Sequence, residues 1–518
     1  MPLDTWLTSL ANTSINPFGS LTSDSSIVLN RNALMAQLSA TPDDIAARAS
    51  LYRDLLNSGE ASLDGLRVAA GLCDPAAIAA VAQLSATAHT NRPKALLSQL
   101  RGLPVDHVEL ENAEPDWLDA LAGLPLRTLV LNGPNFSFDQ TVWQRLPAVA
   151  LETLEISGFS RDENATGLPS LERLRRLKLE TYGEDFDDRF LHQLGSGALQ
   201  ELSLNRCDEV TDDGLLGLSR LKLRSLTFER AGELTSRGMQ HLGHHPLEQL
   251  SLGWNGAILK DPSWLRGLTA LRSLSLDYCY ATDAMLHAIQ GLPIERLSLQ
   301  SSYIGEDDIA ELEGMPLADL DLKSSQQMIE RLDVLHAFPL KRLGLSDVQG
   351  IDAHTLSDLR GLELESLDLS LNDITGKELK QLAGLPLKRL NLSFCHSIDG
   401  KALRMLVELG LPLEQLEISG LDLRDADLAC LRDLPLRRLG LYESPWLTDV
   451  GVAHLTHLPL RDLTLAAGPG ESQLTSAVVS VLEQLPLQKL WLPNCSGISA
   501  EGWDRLARLP AHVTGPGI

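Results

Sequence analysis

The stretch 364-LESLDLSLNDITGKELKQLAGLP-386 decides how this chain folds. Leu367 and Leu369 alternate with polar residues, the period of a short strand that turns its leucines to one side. Ile374, Leu379, Leu382 and Leu385 then recur at intervals of 3 to 5, which is helical spacing. Pro386 lacks the N–H a helix needs, so the helix stops there and a new strand begins. One short strand and one short helix cannot bury their own apolar faces. Stacked copies can, so the stretch predicts repetition.

The repetition is there. The phrase Leu-x-x-Leu-x-Leu, or a close variant, starts at residues 126, 151, 174, 199, 223, 247, 271, 294, 317, 340, 364, 387, 413, 436, 460 and 487. A weaker copy, 105-VDHVEL, precedes them, giving seventeen, mostly 23 to 25 residues apart. This array resembles the leucine-rich repeat family from residue 105 to the C-terminus. The resemblance implies an α/β leucine-rich-repeat solenoid, a ribonuclease-inhibitor-like horseshoe of about 17 repeats. Parallel strands would line its inside and helices its outside.

The ninth residue of six repeats is Cys207, Asn255, Cys279, Asn372, Cys395 or Cys495. In leucine-rich repeats this slot turns inward and satisfies backbone groups that no strand pairs. That reading bears on 387-LKRLNLSFCH, where Cys395 and His396 stand together like a nucleophile and its base. The repeat gives Cys395 a structural place and makes His396 the next loop residue. Cys430, in 427-DLACLRDL, falls on a helical apolar face, and Cys73 lies outside the array.

Composition narrows the function. The chain has 518 residues, is 44% hydrophobic but only 4% aromatic, and carries a formal net charge of −25. Such acidity disfavours nucleic acid, whose phosphates need Lys and Arg, and disfavours an anionic membrane surface. Residues 1–100 hold 8 acids and 6 bases, so the charge belongs to the body of the protein. Six scattered cysteines make no disulfide framework, and no CxxC pair gives zinc spacing. No apolar run reaches the roughly 18 residues of a membrane span.

No phosphate-binding glycine loop, HExxH or GxSxG occurs, and no cysteine has an aspartate two residues on, as bacterial ligase effectors require. No catalytic residue and no cofactor is expected. His241 and His245 in 241-HLGHH stand at i, i+4, the best metal candidate, but no third ligand joins them. The array leaves no room for a C-terminal enzyme domain, and 500-AEGWDRLARLP reads as a last helix.

Three regions follow. Residues 1–30 are rich in Ser, Thr and Asn, and the first base is Arg31, so no secretory signal peptide is expected. They read as a disordered tail or as an unfolded export signal. Residues 31–100 read as helices that cap the array or dock a partner, and residues 101–518 are the solenoid with its C-terminal cap. The array resembles the leucine-rich effectors of bacterial type III systems, GALA-type ones included. That resemblance implies a protein made in the bacterial cytoplasm and secreted into a host cell, where it binds a host protein. GALA-type effectors carry an F-box that recruits a ubiquitin-ligase subunit, which implies an adaptor role for residues 31–100. Here the F-box pattern and the Gly-Ala-x-Ala-Leu-Ala phrase are missing. A non-secreted intracellular scaffold is the third reading.

The eighth position of each repeat falls near the edge of the concave strand face. Four successive repeats place Arg206, Arg230, Trp254 and Tyr278 there, residue types that dominate binding hot spots. Asp277, with Asn205 and Glu229, holds the seventh position beside them. Tyr442 and Trp491 form a second candidate, at the seventh and fifth positions.

Overall fold

The computed structural model describes residues 197–466, 472–509 and 511–515, and upstream of them 85–86, 107–111, 118, 119, 121, 126–133, 137–138, 146, 151–161, 172–182 and 186–194. The region 1–30, Cys73 and nearly all of 31–100 lie outside the described residues. Within 31–100, Ser85–Ala86 forms a short strand pairing in parallel with Glu109 and Leu110. The chain divides into two compact units, residues 1–247 and 248–518.

In the first unit the strands His107–Glu111, Thr128–Asn132, Thr153–Arg161, Arg176–Thr181, Glu201–Leu204 and Ser225–Glu229 form a parallel ladder. The fourth residue of each repeat stands in one row, from Val108 through Leu129, Leu154, Leu177 and Leu202 to Leu226. The second unit repeats this from Gln249–Gly253 to His512–Thr514, with Leu250, Leu274, Leu297 and their successors in register through Leu490 to Val513. These leucines are almost wholly buried. The architecture is therefore the α/β leucine-rich-repeat solenoid expected from the repeat phrase. The expected last helix is Ala500–Leu506, and one more strand, His512–Thr514, follows it.

The returning segments are less uniform than helical spacing predicts. Gly376–Leu379 is α-helical but Lys380–Leu382 continues as a 3₁₀ turn, and Pro262–Gly267, Asp333–Ala337 and Asp425–Asp433 are 3₁₀ throughout. Most of these returns run only a turn or two, where tight i to i+3 bonds compete well, although Asp425–Asp433 is nine residues long. Ile374, Leu379, Leu382 and Leu385 are all buried as predicted. Before Pro386, Gly384 takes φ +83°, the left-handed cap that ends a helix without a Cβ penalty.

A cap also ties neighbouring repeats together. Thr211 is the N-cap of Asp212–Gly217, and its hydroxyl accepts the Asp213 N–H. Its own N–H and hydroxyl donate to Asp188, at 2.8 and 2.6 Å, in the preceding repeat. Asp212 does the same for Thr235, Asp425 for Thr448 and Asp449 for Thr475. The acid sits where a Cβ on Gly214, Gly238 or Gly451 would fall, which accounts for glycine three residues after Thr211, Thr235 and Thr448, whereas Val478 holds that place after Thr475.

Candidate functional site

The ninth position behaves as its residue types require. The Cys279 thiol donates to the Leu252 carbonyl at 3.0 Å, and Cys395 to Leu369 at 3.1 Å, each reaching back one repeat. Asn372 fills the same slot with its amide, donating to Leu345 at 2.7 Å and Leu369 at 3.0 Å and accepting the Val348 N–H. Burial pushes the Cys279 thiol up to about 12 and the Cys395 thiol up to about 11. Cys395 is a protonated, fully buried hydrogen-bond donor. The His396 ring instead meets the Gly420 carbonyl at 3.2 Å and stands edge-on to Phe394. Cys430 is half-buried on its 3₁₀ turn and raised to about 11, again mainly by burial.

The pair His241 and His245 does not share a helix face. Gln240–His244 is a 3₁₀ turn and His245 follows it in extended backbone. His245 is buried, which lowers its proton affinity. Among the described residues no cluster of three or more His, Cys, Asp or Glu could hold a metal.

The eighth position carries a backbone demand invisible in the residue types. Its N–H continues the ladder, as when Trp254 donates to the Asp277 carbonyl at 3.1 Å and Tyr278 to Gln300 at 2.8 Å. The chain must then turn inward to present position nine, and it does so through left-handed backbone. Arg230, Trp254, Tyr278, Leu371 and Phe394 all have φ between 57° and 61°, and Gly133, Gly158 and Gly420 are left-handed there too, at 57°, 70° and 66°. Left-handed backbone costs an L-residue about 1–2 kcal/mol, so a tryptophan there is held against its preference.

Trp254 is 59% exposed and lies flat on Tyr278, centroids 4.0 Å apart and planes within 5°. Position ten extends the patch. Tyr280 and Tyr303 are both half exposed, with rings 5.9 Å apart. The sequence reading missed these two. The signal was there: position nine turns inward, so eight and ten both point out, as in 278-YCY-280 around buried Cys279.

The other expected site residues divide. Arg206 and Arg230 belong to the first unit and Trp254 and Tyr278 to the second, and each pair is described within its own unit. Arg206 is half-buried, whereas Arg230 is exposed and pairs with Asp208 at 3.2 Å. Thr181, counted as another eighth position, is buried. The ladder slips by one residue at Gly158, so Thr181 turns inward and donates to the Phe159 carbonyl, leaving Tyr182 outside. Asp277 accepts from the Ser275 and Ser298 hydroxyls at 2.8 and 2.7 Å and from the Gln300 N–H at 3.0 Å. Tyr442 and Trp491 do come together, stacked with centroids 5.6 Å apart across the intervening strand Asp462–Leu465.

A leucine-rich repeat family model matches residues 199–219 and 364–383. No curated protein matches the chain. Among solved structures, a chain from the yeast complex of Rad7 and Elc1 aligns at 15% identity and a TM-score of 0.40, covering 96% of this chain and 99% of that one.

Proposed function

We propose that this leucine-rich-repeat chain is a protein-binding solenoid whose second unit docks a partner at the Trp254–Tyr278 edge. The repeat fold is in general a binding scaffold, because it displays many side chains on one rigid parallel sheet. The observation that carries the reading is the coplanar stack of exposed Trp254 on half-buried Tyr278, both on left-handed backbone. Neither ring contributes to the leucine core, and Trp and Tyr are the residues that anchor interfaces. Affinity capture from host-cell extract tests it. A partner held by the wild type and lost by Trp254→Ala/Tyr278→Ala supports the edge as the anchor, and a partner retained by both proteins sinks it.

The reading extends to a type III effector acting on a host protein. Its support is the base-free, Ser/Thr-rich segment 1–30 and the resemblance of the repeats to such effectors. A reporter fused to residues 1–50 should be exported by a type III-competent strain and retained by a secretion-null one. A ubiquitin-ligase subunit binding residues 1–100 alone would favour the adaptor role instead.

A further inference from the structure

Building on that docking edge, we infer that the strand face of the second unit takes a basic, extended protein segment. Its Arg or Lys side chains meet the carboxylates of Asp277, Asp321 and Asp368, and a guanidinium or ammonium lies against the exposed Trp254 ring. Other acids on the strands already have cations. Asp319 holds Arg342 at 2.7 Å, and Glu417 and Asp462 share Arg438 at 3.0 and 3.6 Å. Among the described residues no ion pair joins Asp277, Asp321 or Asp368. Their partners are hydroxyls, amides and backbone N–H groups. Gln300 joins two of them, its N–H on Asp277 at 3.0 Å and its side-chain amide on Asp321 at 3.1 Å. Asp368 accepts from the Ser370 N–H and hydroxyl at 2.9 and 2.6 Å. Lys323 stands on the same face, but it is its backbone N–H that reaches Asp321. Burial raises the proton affinity of Asp321, and the charges of Asp277 and Asp368 raise it further.

The aromatic edge and the carboxylates are contiguous, since Asp277 immediately precedes Tyr278 and its carbonyl receives the Trp254 N–H. An exposed indole beside carboxylates that no ion pair joins suits a guanidinium, which stacks and pairs at once. The register fixes the spacing. Asp321 and Asp368 flank Gly344 in one row, two strand spacings or about 10 Å apart. An extended chain of polyproline II type advances about 3.1 Å per residue and returns to the same face every third residue, so the complementary cations lie about three residues apart. The net charge of −25 favours the same partner at long range.

The test uses the full chain and a labelled Gly/Ser peptide with arginine at every third position, beside its glutamate counterpart, by fluorescence anisotropy. The arginine peptide should bind and the glutamate peptide should not. Asp321→Asn/Asp368→Asn should weaken binding about tenfold or more while the thermal midpoint holds or rises. Glu313→Gln/Asp333→Asn removes the same charge from exposed positions on the returning segments and should leave binding unchanged. Equal losses in both pairs would mean diffuse attraction and would overturn the proposal, as would an unaffected Asp321/Asp368 variant. If the peptide ignores the aspartates while a captured partner still needs Trp254 and Tyr278, the basic segment falls and the docking edge stands. If substituting Trp254 and Tyr278 costs neither peptide nor partner, both readings fall.

Discussion

A buried thiol at the ninth position cannot be a nucleophile, and Cys395 tests this at the scale of one residue. With its pKa up at about 11, only about one molecule in a thousand is thiolate at pH 8. A thiol reagent should leave Cys279 and Cys395 unmodified in the native protein and label them once urea unfolds it. Cys395→Ala removes one of two donors to the Leu369 carbonyl, the Asn372 amide remaining, and should cost about 0.5–1.5 kcal/mol, whereas Cys395→Asn should cost less, as Asn372 shows that the slot accepts an amide. Asp321 carries the pH prediction. Its folded proton affinity is raised, so the protonated form is the one folding favours, and its unfavourable contribution is complete once pH exceeds the folded pKa. Asp321→Asn should therefore raise the thermal midpoint at pH 7, and the gain should vanish below the unfolded value near 4. The ninth position was legible in the sequence because Cys and Asn share one slot and one chemistry. The left-handed eighth position was not, because Trp, Tyr, Leu and Phe are types that avoid it. Only Gly133, Gly158 and Gly420 hinted at it.

Between elements, the clearest device is the acid that reaches from one repeat to the threonine cap of the next. Asp188→Ala removes two hydrogen bonds to Thr211 and should cost about 1–2 kcal/mol in urea unfolding. Gly214→Ala should cost at least as much alone, because its Cβ would overlap the Asp188 carboxylate. In the Asp188→Ala background the same change should cost clearly less, since the remaining neighbour is the Leu191 Cδ1 methyl at 3.1 Å and alanine is the better helix former by about 1 kcal/mol. Additive losses would show that the carboxylate is not what demands glycine. The strands were legible to within a residue from Leu-x-Leu alternation, except where the slip at Gly158 turned Thr181 inward. The mixture of α and 3₁₀ turns was not, since both bury the same leucines and differ only in how tightly a short return winds.

Across the molecule, the seventeen phrases made the architecture readable, while function rests on a few side chains that the fold does not need. Arg206 and Arg230 looked like part of one stripe with Trp254, yet Arg206 is half-buried and Arg230 has Asp208 for a partner. Such partners come from neighbouring repeats and are invisible in a list of eighth positions. The central claim is that the Trp254–Tyr278 edge exists for binding. Trp254→Gly relieves left-handed strain of about 1–2 kcal/mol and loses ring stacking of about 0.5–1.5 kcal/mol, so stability should stay within about 1 kcal/mol of wild type. The most direct measurement is calorimetric titration of the captured partner into wild type and into Trp254→Gly/Tyr278→Ala, at matched folded fractions. The predicted result is affinity at least about tenfold weaker in the variant, 1.4 kcal/mol or more. Equal affinity in two equally folded proteins would contradict the account and place the binding surface elsewhere on the chain.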